Sequence, residues 1–521
     1  MNKKILYPLL MVLAVLLCYL NSFQVPFLWD DEVMIVGNSL IRGLLNLRNI
    51  FFSGAFGSVA SGGDFYRPFQ ILTYLFDHSL WGLDARGFHL TSLLVHLGST
   101  LLLYWLALQL FNCRAIALMS ALLWGVHPIN IEAVTYLSGR GDLLSIFLVL
   151  ASANLYLQGR LKNCWYHLPA FLLYIIALFS KENALPFPLI LIALEFLLIQ
   201  KKKGAMTYIA LGAMNLAMIA YILTRLFFIS TTTMRALSII AGATVLERVM
   251  TLPWILFTSL RYLAFPWPSH MEYHFLVSTF SDYRLYLPLL LVLLTIPLLR
   301  SKKYKKITVF SILCLVLGLA PVSHIFLPLA ATFREHWLII PSLGLFLLLA
   351  FALQALSPAH RRIRVIVFSI LAVAWGTLTI VRNNDWISPM RLYTHDLKHE
   401  PKSFLLHNNA GVEYFRLGNM EEAQKHFQSA IDTAPGKGYS MAFNNMGVIY
   451  QRQGDLARAK ELYLISLEIS PDKLAYLNLA AILINENNIK KASSYLEEAL
   501  KTYPYDPELL ELKSSIDKSQ N

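Results

Sequence analysis

Three consecutive carboxylates, Asp30, Asp31 and Glu32, stand directly behind an apolar N-terminal run and Trp29. One Asp at mid-bilayer costs about 3 kcal/mol, so a triple cluster belongs at the water interface or in a cavity. There a carboxylate can take the proton of an attacking hydroxyl as general base. Simpler roles are solvated flanking acids or a cap on a helix start. A divalent metal on Asp30, Asp31 and Glu132 is a further option, since hard cations take carboxylate oxygens. No ligand spacing demands a metal, however, and no other cofactor is indicated. Other polar groups interrupt the apolar sequence at Tyr66-Arg67-Pro68, His127-Pro128-Ile129-Asn130-Ile131-Glu132 and Ser138-Gly139-Arg140-Gly141-Asp142. Two more are Ser180-Lys181-Glu182-Asn183 and Arg334-Glu335-His336. Acids and cations together suit a donor with an anionic leaving group. Arginine or lysine can stabilise a departing phosphate, arginine through a bidentate fork. His127, ahead of Pro128, can equally mark a helix end. The chain has no Walker loop, GxSxG or HExxH in a credible context.

The elements that must position these residues lie in a membrane. Hydrophobic residues make up 56% of the 521 and charged residues 15%, with a mean hydropathy of +0.53. That composition describes many bilayer spans. The net charge of +12 comes from short basic clusters between apolar runs, the pattern of loops held on the cytoplasmic side, and argues against nucleic acid as a partner. Four cysteines, Cys18, Cys113, Cys164 and Cys314, lie in or beside apolar segments without paired spacing. Neither a disulfide framework nor a zinc site is expected.

A span needs about 20 mostly apolar residues. Residues 5–20 form the first, begun in the cytoplasm by Lys3 and Lys4 and left uncleaved. The acidic triplet then emerges on the outer face, followed by an outer segment with Gly54, Gly57, Gly62 and Gly63 and an interfacial helix over 68–83. Further spans are read at 88–111, 115–126, 143–157, 165–179, 185–199 and 208–228, with Lys201, Lys202 and Lys203 as an inside marker. Residues 246–265 carry Arg248, Arg261 and Pro253 and read as a re-entrant or interfacial helix on the outer face. Spans at 286–299, 307–320, 338–356 and 363–381 complete about eleven, with every basic cluster inside. All the polar groups above then share the outer face with Asp30 and Asp31.

Beyond Arg382 the chain becomes charged and helical. Offsets of 36 and 33 residues relate Asn409, Asn445 and Asn478. The same offsets relate Gly418, Gly454 and Asn487; Ala423, Ala459 and Ala492; and Pro435, Pro471 and Pro504. Small residues at a helix crossing, a turn residue and a terminal proline describe three tetratricopeptide repeats, which stack into a solenoid with a concave face.

The strings WDDE, YRP, HPINIEAV-TYLSGRGDLL, SKEN and REHWLIIPSLG, followed by VRNNDW and the repeats, resemble the transmembrane and tetratricopeptide-repeat O-mannosyltransferases. These are GT-C class glycosyltransferases related to the protein O-mannosyltransferases, and the resemblance runs over essentially the whole chain. It implies inverting transfer from a polyprenyl-phosphate-linked sugar. On these positions Asp31 would be the base, Asp30 would stand beside it and Glu132 would support the acidic site. Arg67, Arg140 and Lys181 would hold the lipid phosphate. The polar groups gathered on the outer face add Glu32, His127, Asp142, Glu182 and Arg334 as candidate substrate-binding residues. The helix at 246–265 would flank the donor groove. An array of three repeats is shorter than in the long-solenoid members, and Lys518-Ser519-Gln520-Asn521 is no retention signal, so the outer face is read as periplasmic.

The expected protein is therefore all-α: a GT-C-like membrane domain over 1–382, a linker over 383–403 and repeats over 404–517. It would lie in the inner membrane and move a sugar to protein Ser/Thr hydroxyls, with the repeats presenting the acceptor. Two alternatives stay open. One is a lipid-carrier-dependent enzyme acting on glycan or lipopolysaccharide; the other is a membrane-anchored repeat scaffold without activity.

Overall fold

The computed structural model describes residues 3–52, 66–199, 204–228, 238–325, 328–436, 438–503 and 506–520. Gly54, Gly57, Gly62, Gly63, the lysines Lys201, Lys202 and Lys203, and Pro504 lie outside them. Within the described residues the chain is helical, with one isolated bridge between Tyr273 and Phe333. The helices that matter here are α1 (Lys3–Tyr19), α2 (Pro68–Trp81), α3 (Ala85–Phe111), α4 (Arg114–Gly125) and α5 (Arg140–Leu161). They are followed by α6 (His167–Leu178), α7 (Phe187–Leu197), α8 (Ala205–Phe228), α9 (Val245–Ala264) and α10 (Leu289–Arg300). The membrane part ends with α11 (Lys305–Leu319), α12 (Ser342–Gln354) and α13 (Arg361–Asp385).

The protein is a multi-pass membrane protein, but the described residues do not form eleven full spans. Among the described residues six helices are long and apolar enough to cross: Ile5–Gln24, Ala85–Phe111, Leu137–Leu161, Ala205–Phe227, Lys305–Val322 and Arg361–Asp385. A seventh results if Arg114–Gly125 and Pro128–Val134, bent by 54°, count as one. The shortfall comes from helix length. α6, α7, α10 and α12 have 12, 11, 12 and 13 residues. At 1.5 Å per residue they reach only about 16–20 Å, against a hydrocarbon core of about 30 Å. Apolar composition showed where these helices lie but not where their hydrogen-bond ladders stop. α9 is not among the six. It starts at a capping box, Thr244 Oγ1 accepting from the Glu247 N–H at 3.3 Å while Glu247 Oε2 accepts from the Thr244 N–H at 2.8 Å, and it stays helical through Pro253.

α13 ties the bundle together at the end where the acidic loop lies. Asn21 donates to the Ile380 carbonyl and to Asn384, both at 2.9 Å. Asn383 donates to the Cys18 carbonyl at 3.1 Å and accepts from the Thr135 hydroxyl at 2.6 Å. Thr379 donates to the Val126 carbonyl at 2.7 Å. These bonds fix the exit of α1 against the bend after α4. In the following segment α14 (Pro389–Leu397) folds back so that Asp396 meets the buried Arg382 at 2.7 and 3.0 Å.

The repeats follow as α15 (Phe404–Arg416) with α16 (Met420–Thr433), α17 (Ser440–Arg452) with α18 (Leu456–Ile469), and α19 (Lys473–Asn485) with α20 (Ile489–Thr502); α21 (Pro507–Gln520) lies after them. The aligned turn residues Gly418, Gly454 and Asn487 have φ of 79°, 84° and 57°, the left-handed conformation that glycine and asparagine tolerate best. Ala423, Ala459 and Ala492 are fully buried. At Gly411 and Gly447 an added Cβ would stand 2.6 Å from the rings of Phe427 and Tyr463, so helix contact is closest there.

Candidate active site

The acidic loop is held in a strained turn. Trp29 has φ 51°, a left-handed conformation that costs a bulky residue about 1–3 kcal/mol. Asp31, 1% exposed, maintains the turn. Its Oδ2 accepts from the Leu28 N–H at 3.1 Å, and its Oδ1 accepts from the Ser138 N–H at 2.7 Å and from the Ser138 hydroxyl. Burial pushes Asp31 up to about 7, against the lowering effect of the Ser138 and Leu28 donors. Asp31 thus clasps the first loop to the Leu137–Gly139 turn.

Asp30 points the other way. Its side chain is exposed, in a recess bounded by Tyr136, Arg334, Glu272 and Arg67, which all act on it. Burial within that recess raises its pKa, while the Tyr136 hydroxyl and Arg334 oppose the rise. Trp29, Tyr136 and Trp386 form one aromatic wall, with ring centroids 6.2 and 5.4 Å apart. Arg334 lies over the Trp29 ring at 6.0 Å and holds Glu272 at 2.8 Å. A guanidinium has five N–H donors, so one bond to Glu272 leaves capacity for a ligand oxygen. Glu32 turns outward and pairs with Arg416 of the first repeat through two bonds of 2.6 and 2.8 Å.

Around the recess the expected acids and cations meet in pairs. Glu132 meets His336, whose other nitrogen stands 3.9 Å from Asp142. Asp142 also takes Lys181 and the Asn183 amide, the latter at 2.8 Å. Arg67 binds Glu182 at 2.6 and 3.2 Å, and Arg225 approaches Glu182 at 3.7 Å. Burial pulls His336 down to about 3, so the imidazole is neutral at neutral pH. Burial also lowers Lys181, with Asp142 opposing. For Glu182 burial would raise the pKa, but Arg67 and Arg225 bring it well below the usual range. Among the described residues no three His, Cys, Asp or Glu side chains are grouped to hold a metal ion. Asp31 is turned to Ser138 and Glu132 to His336, away from any shared ligand point.

Two candidates stand apart from the recess. Arg140 is fully buried, paired with Asp77 and donating to the Phe88 carbonyl at 2.7 Å and Ser92 at 3.2 Å. Its guanidinium also lies 4.8 Å from the Tyr74 ring centroid. His127 is buried against Trp375 at 4.7 Å, accepts from the Ile129 N–H at 3.1 Å and so caps the turn after α4. Sequence reasoning gives no role to Tyr136 or Glu272 and marks His336 only as a neighbour of Arg334. Tyr136 and His336 sit inside the quoted motif strings, but Glu272 has no local sequence signal.

Known proteins extend the description. Tetratricopeptide-repeat family profiles match residues 403–472 and 474–506. A Caenorhabditis elegans protein O-mannosyl-transferase is 25% identical over 442 residues, covering 82% of this chain and 62% of that protein. Protein O-mannosyl-transferase TMTC3 of Mus musculus is 26% identical over 468 residues, covering 82% and 51%. The chain is O-mannosyltransferase-like, with tetratricopeptide repeats. This O-mannosyltransferase-like chain spans only about half to three-fifths of the length of those relatives. ArnT from Cupriavidus metallidurans bound to undecaprenyl phosphate superposes with a TM-score of 0.40 at 13% identity, covering 88% of this chain and 79% of that one.

Proposed function

We propose that the chain is a membrane glycosyltransferase of the GT-C type that moves a sugar from a polyprenyl-phosphate carrier to an acceptor hydroxyl, in an inverting reaction. The observation that carries this is the outward-facing Asp30 in a recess edged by Arg334, Arg67 and Lys181. Asp30 takes the proton of the acceptor hydroxyl, whose oxygen bonds to the sugar C1. The C1–O bond to phosphate breaks, and the phosphate departs with the bonding electron pair. Arg334, Arg67 and Lys181 stabilise the negative charge that develops on it. The carboxylates paired with these cations hold them in place before the donor arrives. Asp31 acts as a positioning residue, because both its oxygens serve the loop that aims Asp30.

Protein Ser/Thr hydroxyls are the proposed acceptor, in line with the names of the relatives. The repeats support this choice by their closeness: Arg416 of the first repeat is paired with Glu32, two residues from Asp30. A segment held on the repeats would therefore lie beside the base. With the basic clusters inside, the N-terminus is cytoplasmic and the repeats are extracytoplasmic. Mass spectrometry of envelope proteins and glycans from cells with and without the chain tests the whole proposal. Loss of a protein-linked hexose without the chain is expected, and identical profiles would overturn it. Protease added to intact spheroplasts should remove residues beyond 382, and their protection would reverse the orientation.

A further inference from the structure

A cavity of about 450 Å3 lies far from the acidic recess, between α4, α12, the start of α13 and the turn before α11. It is walled by Lys303, Arg361 and Arg364 on one side and by Ile116 and Phe351 on another. α13 begins at this cavity and ends beside the recess. Its 25 residues rise about 37 Å, so the two sites face opposite sides of the membrane.

The cations here differ from those at the recess. Arg67, Lys181 and Arg334 each hold a carboxylate there. Among the described residues Lys303 and Arg364 meet no carboxylate: they donate to main-chain carbonyls at the end of α12, those of Ala355 at 2.9 Å and Gln354 at 3.4 Å, and Lys303 also lies 5.6 Å from the Tyr304 ring centroid. Arg361 has no ion pair among the described residues. No acid is at hand, because residues 85–131, 283–334 and 336–384, which supply these walls, contain no Asp or Glu. The side-chain oxygen of Gln354, on the same wall, is buried without a partner; the amide can turn either end toward a ligand. A basic loop on the inner face accounts for cations being present. It does not require three of them to converge, unpaired, on a cavity with an apolar wall.

We propose that this cavity binds the phosphate headgroup of an anionic phospholipid, its acyl chains lying along Ile116 and Phe351. The volume falls in the range of small-molecule sites, roughly 300–1,000 Å3, and basic pockets between spanning helices suit such headgroups. The site is separate from the sugar-transfer site and independent of the reaction assigned to it.

Native mass spectrometry of the full chain, taken from phosphatidylcholine nanodiscs doped with phosphatidylglycerol, tests this directly. The wild-type chain should retain phosphatidylglycerol through detergent release. Ala355→Trp fills the cavity and leaves every cation in place, so topology is preserved and the retained lipid should be lost. Lys303→Gln, Arg361→Gln and Arg364→Gln should each weaken binding by roughly fivefold. Arg300→Gln/Lys302→Gln removes charge from the same face outside the cavity and should leave retention unchanged. Retention by Ala355→Trp, or equal loss in the Arg300/Lys302 control, would overturn the proposal. Displacement of the lipid by inorganic phosphate would do the same, by showing a site for the free anion.

Discussion

Replacing Arg140 separates two roles that the sequence left together. If Arg140 held a lipid phosphate, Arg140→Met would abolish transfer and leave the fold intact. The structure instead buries Arg140 and Asp77 completely, both side chains at 0% exposure. Breaking such a pair from one side costs about 3–5 kcal/mol, because Asp77 is left with only the Thr91 hydroxyl at 2.6 Å. The contact with the Tyr74 ring adds roughly 0.5–2 kcal/mol. Asp77, already raised by burial with Arg140 opposing, can take up a proton in the variant, which moves the loss toward the lower figure. The expected destabilisation is about 4 kcal/mol, a large part of a typical 5–15 kcal/mol net stability. Denaturant unfolding of the purified chain in detergent measures it. Arg140→Met/Asp77→Leu should recover most of the loss, since an apolar pair can replace a buried ion pair. Wild-type unfolding together with abolished transfer in Arg140→Met would refute the structural role.

Three other outcomes are expected. Glu32→Arg and Arg416→Glu should each loosen the repeats from the membrane domain, seen as faster proteolysis after residue 403, and the double swap should restore protection; the pair is half-exposed, so each change costs at most about 1 kcal/mol. Gly447→Val should destabilise the repeats by about 1–3 kcal/mol, read from their thermal unfolding, because the new Cβ meets the buried Tyr463 ring. Transfer should fall on acidification at a pH above the ordinary carboxylate value, measured as a pH–rate profile. The base acts ionised and Asp30 is raised by burial, so protonation begins earlier as pH drops. Asp31, raised to about 7, has the matching effect on stability: its contribution is full below its unfolded value and lost as pH rises through about 7.

The sequence was most legible where a local rule operates. Gly418, Gly454 and Asn487 marked their turns because few residues accept a positive φ, and the buried alanines marked helix crossings. Helix positions in the membrane part were likewise readable from apolar runs. Their lengths were not, because the ends of α6, α7, α10 and α12 depend on where prolines and tertiary contacts stop each ladder. At the site, the types Asp, Arg and Lys were visible, but their partners come from distant segments. Arg334 finds Glu272 and Glu132 finds His336 only after the loops are folded together. The orientation of two adjacent aspartates was equally hidden. Neighbours in an irregular loop face opposite ways, and only the Ser138 and Leu28 donors show that Asp31 turns inward.

The central claim is that Asp30 accepts the acceptor's proton, and replacing it tests that claim most directly. Envelope proteins and glycans should be compared by mass spectrometry in cells carrying wild type or Asp30→Asn as the only copy, with membrane insertion and repeat folding checked in parallel. The account predicts loss of transfer by about 10²–10⁴-fold in a chain that inserts and folds normally. Wild-type transfer by Asp30→Asn would contradict it.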